Sequence, residues 1–164
     1  MRHFCTYFDH RYLAKGLALY RSLEEHVGNF RLFVLCLSRE CHETLSQLDL
    51  ANAEPVRLTE LEAFDAELLA TKSSRNLVEY YFTCTAPLMR FVLSKSEEVE
   101  LLTYLDADLA FFGSPEPIFD ELRGHSVGIV PHRFPEKLRH LERFGIYNVA
   151  WVSFRRDADG LACL

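Results

Sequence analysis

Short apolar segments typical of strands alternate with helical segments along almost the whole chain. The pattern predicts strands at residues 3–8, 31–37, 56–58, 99–105, 126–130 and 147–154. It predicts helices at residues 12–25, 40–48 and 59–69, from 85 onward, and at 115–122 and 136–144. Because parallel strands need crossover connections that are usually helical, this alternation predicts an α/β fold with a mostly parallel central sheet flanked by helices.

The length and composition are those of a single globular domain. The chain has 164 residues, of which 49% are hydrophobic, and this is enough to bury a sizeable core. Its net charge of -6 argues against a nucleic-acid partner, because phosphate binding needs clustered Lys and Arg. No apolar run approaches the roughly 20 residues of a membrane span, and residues 1–9 lack the apolar stretch of a secretory signal. Peripheral association with a membrane stays open.

The cysteine pattern favours reduced thiols. The chain has five cysteines, an odd number, and no two of them form a C-x-x-C pair. We therefore expect free structural cysteines and a cytoplasmic protein. A zinc site that uses Cys41 and His42 is the alternative, but their spacing supports no tetrahedral ligand set.

The sharpest local signal is the sequence Tyr104-Leu105-Asp106-Ala107-Asp108, where an apolar strand runs directly into two acids. Ligands of open α/β sheets bind at the carboxyl ends of the strands. Alternate residues of a strand share a face, so we expect both carboxylates to point into the same space. Two such oxygen donors suit Mn²⁺ or Mg²⁺. The alternative interpretation is a solvated turn that carries two acids.

Three segments, in order, give the chain a family resemblance. Residues 103–108 and 111–119 resemble the "hhYLDaDh.hf.dp..lf" signature of glycosyltransferases with the GT-A fold, most closely the family-eight-like nucleotide-diphospho-sugar transferases. Residues 4–8 and 12–23 resemble the opening strand and first helix of these enzymes. Residues 147–154 are similar to their later "fNsGvmlf" strand. The resemblance spans nearly the whole chain.

The resemblance implies a Rossmann-like GT-A fold and a metal-dependent sugar transfer. The donor would be a nucleotide diphosphate sugar, with UDP as the expected nucleotide, and the acceptor would be a glycan, a lipid or a protein. Asp106 and Asp108 would bind Mn²⁺ (or Mg²⁺), which neutralises charge on the departing diphosphate. Retention of anomeric configuration is implied by the resemblance alone.

Further site residues are carried over from the family. Thr6 and Tyr7 would contact the uracil and ribose, and Arg90 would act as a catalytic contact to the sugar phosphate. Lys72 is a second candidate for the phosphate or sugar, and Asn148 would face the sugar or the acceptor. The motif residues Tyr104, Leu105 and Ala107 complete the predicted nucleotide-sugar site.

The sequence departs from the family pattern in two places. The family's Asn-Ser-Gly reads Asn148-Val149-Ala150, which weakens the expected close backbone approach. Relatives also continue beyond the point that Leu164 matches, with acceptor-binding elements and usually a metal-binding His. We therefore expect residues 1–164 to form a nucleotide-sugar-binding domain that lacks a C-terminal acceptor-binding part. His132 does not match the position of that late His.

Two other functions fit parts of the pattern. Haloacid-dehalogenase phosphatases also place D-x-D after a strand, but there it normally follows the first strand, whereas several elements precede Asp106. A degenerate transferase could bind a nucleotide sugar or glycan without turnover. Hydrolysis of a UDP-sugar would distinguish an enzyme from such a binding domain.

Overall fold

The computed structural model describes residues 1–164 and contains one six-stranded sheet with the order β3-β2-β1-β4-β6-β5. The strands are β1 (Arg2–Phe8), β2 (Phe30–Cys36), β3 (Ala53–Arg57), β4 (Leu101–Leu105), β5 (Val127–Pro131) and β6 (Tyr147–Arg155). Strands β3, β2, β1 and β4 run parallel, whereas β6 is antiparallel to both β4 and β5. The predicted α/β fold with a mostly parallel sheet is therefore confirmed.

Eight α-helices and two 3-10 helices surround the sheet. The α-helices are α1 (Leu13–His26), α2 (Arg39–Leu48), α3 (Leu58–Phe64), α4 (Ala66–Thr71), α5 (Leu77–Thr83), α6 (Thr85–Lys95), α7 (Glu116–Glu121) and α8 (Ala158–Cys163). The 3-10 helices are His10–Tyr12 and Glu136–Phe144. None of the helices is both long and apolar enough to cross a membrane.

The two faces of the sheet pack into separate cores. Phe4 and Phe8 of β1 contribute to a cluster with residues of α1 and α2, whereas Cys5 points into a cluster with residues of α3 to α6. This alternation follows from the period of two in a strand. Burial on both faces explains why β1 and β2 read as nearly continuous apolar runs.

The prediction of one continuous helix at residues 59–69 is wrong, because the helix is interrupted at Asp65. The backbone of Asp65 is extended, with φ -122° and ψ 95°, and its carboxylate accepts a hydrogen bond from the Leu68 amide at 2.8 Å. An Asp side chain that caps a helix competes with helix continuation. The result is two short helices, α3 and α4, in place of one.

Thr59 and Glu62 have the spacing that predicts a capping box at the start of this helix, but the structure does not form it. Glu60 instead accepts the Arg57 amide at 3.1 Å at the start of α3. The Glu62 side chain turns inward and accepts hydrogen bonds from the Tyr80 hydroxyl at 2.8 Å and from Lys72 Nζ at 2.6 Å. A nearly buried carboxylate needs such partners.

Helix α5 was not among the predicted helices. Asn76 and Glu79 form a capping box at its start, in which the Asn76 side chain accepts the Glu79 amide and Glu79 accepts the Asn76 amide, both at 3.0 Å. This N-x-x-E spacing is the sequence signal that could have located it. Its sequence lacks a clear amphipathic pattern, because the apolar residues Leu77, Val78 and Phe82 are exposed.

All five cysteines are free, and four of them are buried. Cys36 and Cys41 are neighbours, and the hydrogen bond to Cys41 and burial together raise the pKa of the Cys36 thiol far above its ordinary value. Burial likewise raises the pKa of the Cys84 thiol, to about 12. Such thiols stay protonated and unreactive at neutral pH.

Candidate active site

A cleft of about 460 Å³ opens at the carboxyl ends of β1 and β4, and we call it the Asp106 cleft. The two strands are adjacent and parallel, with Cys5 opposite Tyr104, so their exits lie side by side. The Asp106 cleft is lined by residues of four segments: Tyr7, Phe8, Asp9, Arg11, Tyr12, Leu37, Leu77, Val78, Tyr81, Phe82, Tyr104, Asp106, Ala107 and Asp108. Polar groups thus meet a largely apolar wall.

Asp106 is held in place from two sides. Its carboxylate accepts a hydrogen bond from the Tyr104 hydroxyl at 2.8 Å, and its amide donates to the carbonyl of Ala150 at 3.0 Å. Burial raises the pKa of the Asp106 carboxyl, and the nearby charge of Asp108 adds to the rise, while the hydrogen bond from Tyr104 opposes it. The carboxylate is therefore both oriented and partly desolvated.

Tyr104 and Tyr7 form an aromatic floor beneath this carboxylate. Their ring centroids are 5.4 Å apart with an interplanar angle of 34°. Burial raises the pKa of both phenols above the ordinary value, so both hydroxyls are protonated and able to donate hydrogen bonds. Thr85, at the start of α6, donates to the Tyr7 hydroxyl at 3.4 Å.

Asp108 lies on the solvent side of the Asp106 cleft. A turn connects it to Asp106, closed by the Leu109 amide that donates to the Asp106 carbonyl at 3.1 Å. Lys15, in the first turn of α1, brings Nζ to 3.8 Å from Asp108 Oδ2. The same ammonium lies 4.2 Å from the centre of the Tyr12 ring. The positively charged side chain of Lys15 therefore lies beside the predicted acid pair, a contact that the sequence does not predict.

The two carboxylates suit a divalent cation that takes its remaining ligands from elsewhere. No group of three or more His, Cys, Asp or Glu side chains that could hold a metal occurs in the structure. Mg²⁺ is commonly bound through one or two carboxylates, with waters and substrate phosphates as the other ligands. An oriented Asp106 and a half-exposed Asp108 beside an open cleft match that donor set.

The structure brings Tyr7, Tyr104, Asp106, Ala107 and Asp108 of the predicted site together in this cleft. Two other predicted residues are buried beside it and do not line it. Thr6 is fully buried, because β1 directs its side chain into the core and not into the cleft. Its hydroxyl has no hydrogen-bond partner. Leu105 is fully buried in the core on one face of the sheet.

Three predicted polar residues lie outside the Asp106 cleft. Arg90 of α6 faces α3 and α4, where Nη1 lies 3.7 Å from Asp65 Oδ2. Lys72 is bound to Glu62 and lines a separate polar pocket of about 540 Å³ near the ends of β2 and β3. Asn148 uses its side chain within β6, where Oδ1 accepts the Ala150 amide at 2.8 Å. His132, beyond the cleft at the end of β5, stacks on Phe134.

Residues of two other segments line the cleft without having been predicted. Arg11 and Tyr12 belong to the 3-10 helix after β1, and Asp9 fixes that turn by accepting the Arg11 and Tyr12 amides at 2.9 and 3.3 Å. Tyr81 and Phe82 come from α5. An Asp followed by two aromatic or basic residues at a strand exit is the available sequence signal for the first segment.

Comparisons with curated proteins identify two relatives of similar sequence, and no protein-family model matches the chain. The uncharacterized protein YfnF of Bacillus subtilis is 32% identical over 168 residues, which cover 98% of this chain and 55% of that protein. The uncharacterized protein YfnD of the same organism is 33% identical over 151 residues, which cover 92% of this chain and 48% of that protein. The chain thus spans about half the length of the curated relatives it matches.

Several solved structures that resemble this one are glycosyltransferases. The galactosyltransferase LgtC, in complex with donor and acceptor sugar analogs, superimposes with a TM-score of 0.61 at 18% identity, over 93% of this chain and 57% of LgtC. Mouse xyloside xylosyltransferase 1 gives 0.62 at 15% identity, over 94% and 66%. Glycosyltransferase GlyE of Streptococcus pneumoniae gives 0.55 at 15%, over 99% and 36%. The sheet order and these similarities together show that the chain has the GT-A-like glycosyltransferase fold.

Proposed function

We propose that the Asp106 cleft binds a nucleotide diphosphate sugar, with UDP as the nucleotide, and that the chain is the donor-binding part of a metal-dependent glycosyltransferase. One observation carries this proposal. Asp106, oriented by Tyr104, and Asp108 line an open cleft at the carboxyl edge of a GT-A-like sheet. This is the edge where ligands of open α/β sheets bind.

Each part of the cleft has a task in this reaction. Asp106 and Asp108 would hold Mn²⁺ or Mg²⁺, which supplies positive charge to the diphosphate as the sugar–oxygen bond breaks. Tyr7 would offer its ring face to the uracil and its hydroxyl to a polar group of the nucleoside. The apolar residues of α5 would exclude water from the reacting bond. The acceptor would provide a hydroxyl from a glycan, a lipid or a protein.

A binding domain without turnover is the second candidate. It is favoured by the lining of the Asp106 cleft, whose only carboxylates are the two metal-site acids and Asp9, which is occupied in capping the next turn. No carboxylate there is therefore free to act as a nucleophile or base. Incubation with UDP-glucose or UDP-galactose and Mn²⁺ distinguishes the two, because an enzyme releases UDP slowly even without an acceptor.

Binding of UDP tests the proposal directly. Without a cation, two like charges about 4 Å apart cost on the order of 4 kcal/mol at an effective dielectric of 20, so the carboxylates repel a diphosphate. A divalent cation reverses that sign. Asp108→Asn removes one charge from an exposed position and should weaken Mn²⁺-dependent UDP binding tenfold or more, roughly 1.4 kcal/mol.

The measurement is a calorimetric titration of UDP into wild type and Asp108→Asn, each with saturating Mn²⁺ and with EDTA. Asp159→Asn is the matched control, because Asp159 is an exposed acid of α8 and does not line the cleft. The control should bind UDP as wild type does. Equal UDP affinity in Asp108→Asn and wild type, with metal present, would refute the proposal.

A further inference from the structure

A diphosphate in the Asp106 cleft needs positive charge from the protein, and the predicted source does not provide it. Arg90 pairs with Asp65 outside the cleft, and Lys72 pairs with Glu62 in the neighbouring pocket. The positive side chains that the structure does place at the cleft both follow β1. Arg11 lines the cleft and forms no ion pair, and Lys15 contacts Asp108.

Lys15 is held at this position by rigid packing of the backbone around it. The adjacent residue Gly16 lies against the ring of Phe8 so closely that a Cβ atom would be 2.3 Å from Phe8 Cε1. This contact fixes the first turn of α1 against β1. The Asp9 carboxylate fixes the turn between them through two backbone amides. The start of the Lys15 side chain is therefore set, while its half-exposed end can move.

The proposed metal would change the surroundings of the Lys15 ammonium. The ammonium faces Asp108 at 3.8 Å and the Tyr12 ring at 4.2 Å. A divalent cation on Asp108 would repel the ammonium from that carboxylate, because both carry positive charge. A diphosphate bound with the cation would offer oxygens as alternative partners, and an ammonium is a good phosphate ligand.

We propose that Lys15 binds the diphosphate of the donor, and that it exchanges Asp108 for phosphate oxygens when the metal and nucleotide bind. This inference rests on the proposed nucleotide-sugar binding in the Asp106 cleft. It assigns to α1 the phosphate contact that the family resemblance places on α6. No bond is made or broken in the exchange, since only ion pairs and hydrogen bonds change partners.

A simple counter-ion role for Lys15 makes the opposite prediction. If Lys15 only neutralises Asp108, its removal frees Asp108 for the metal, so Mn²⁺ should bind more tightly and UDP should bind at least as well as before. If Lys15 also binds phosphate, its removal weakens UDP binding even when Mn²⁺ is saturating. Uridine, which has no phosphate, should then bind equally in both proteins.

The experiment compares wild type, Lys15→Gln and Lys15→Arg by titration with UDP and with uridine at saturating Mn²⁺. Lys137→Gln is the matched control, because Lys137 is exposed in the 3-10 helix Glu136–Phe144 and forms no ion pair. We expect Lys15→Gln to lose about tenfold in UDP affinity, equivalent to about 1.4 kcal/mol. Lys15→Arg should keep most of it, and uridine affinity should not change.

Each outcome decides something. UDP affinity that is unchanged or higher in Lys15→Gln overturns the phosphate role of Lys15. If Asp108→Asn loses UDP affinity in the same series, the nucleotide-sugar site stands and only the Lys15 assignment fails. If wild type does not bind UDP with Mn²⁺, both the site and the Lys15 role are refuted. An equal loss in Lys137→Gln would show a general charge effect and also overturn the assignment.

Discussion

The hydroxyl pair between β4 and β6 should determine how firmly the antiparallel strand β6 is attached to the sheet. Thr103 and Ser153 lie opposite each other, both are fully buried, and their hydroxyl oxygens are 2.8 Å apart. The indole N–H of Trp151 also donates to Ser153 Oγ, at 3.2 Å. Since β4 leads directly into Asp106, this pair supports the strand that carries the candidate site.

The cost of breaking the pair depends on which partner is removed. Ser153→Ala leaves the Thr103 hydroxyl without its partner and the Trp151 N–H without an acceptor, and a buried neutral group without a partner costs about 1–3 kcal/mol. Trp151 is half-buried, so water can reach it in part. We therefore expect Ser153→Ala to lose about 2–4 kcal/mol of unfolding free energy, near the sum of a full and a reduced penalty.

The double variant separates the pair from the general effect of substitution. Thr103→Val keeps the shape and leaves Ser153 with its Trp151 donor, so it should cost about 1–2 kcal/mol. When both hydroxyls are replaced, the only orphaned group is the Trp151 N–H. The double variant should therefore lose less than the sum of the single losses, with a coupling energy of about 1 kcal/mol or more.

Urea unfolding followed by far-ultraviolet circular dichroism measures all four free energies. Ser73→Ala is the control, because Ser73 is exposed, and it should stay within about 0.5 kcal/mol of wild type. The reasoning fails if Ser153→Ala also stays within that range. It fails as well if the losses of the two single variants add up to that of the double variant.

Two further predictions concern the packing at Gly16 and the redox state. Gly16→Ala should gain about 1 kcal/mol of helix propensity but lose about 1–3 kcal/mol to the clash with Phe8. It should therefore unfold at a lower urea concentration than wild type. Gly28→Ala is the control and should not, because no atom lies within 4 Å of its Cβ. A Gly16→Ala variant that is more stable than wild type would contradict this packing. Thiol titration of denatured, unreduced protein should find about five groups, and a single reactive group would indicate two disulfides.

The sequence predicts the parallel part of the sheet well because burial on both faces produces unmistakable apolar runs. It does not predict that β6 runs antiparallel, since a strand of alternating residues carries no information on its direction. The sequence also does not predict the interruption of the helix at Asp65. Residues on both sides of it have good helix propensity, and only the hydrogen bond from the Asp65 carboxylate to the Leu68 amide shows that a new helix begins.

The candidate site is predicted where backbone geometry alone places the residues. Tyr7 lies near the end of β1, and Asp106 and Asp108 follow the adjacent parallel strand β4, so strand order is enough to bring them together. Arg90 needs one more fact, which is the rotation of α6 about its axis. Met89, one residue earlier, is fully buried, and this places Arg90 on the exposed side beside Asp65. A one-residue error in the phase of a helix moves a side chain by about 100°.

The Asp106 cleft contains both acidic and basic side chains. The sequence indicates the two acids and hence a metal, but it does not indicate that Lys15 lies beside them. Asp9, Asp106 and Asp108 contribute negative charge, while Arg11 and the adjacent Lys15 contribute positive charge. These groups nearly cancel, so the protein alone offers a diphosphate little net attraction. In the proposed function, Asp106 and Asp108 would hold a divalent cation that supplies the missing charge, and Lys15 would then turn to the phosphates. The proposed metal dependence and the proposed Lys15 contact would therefore both follow from this charge balance, and Asp108, which contacts Lys15, links the two proposals.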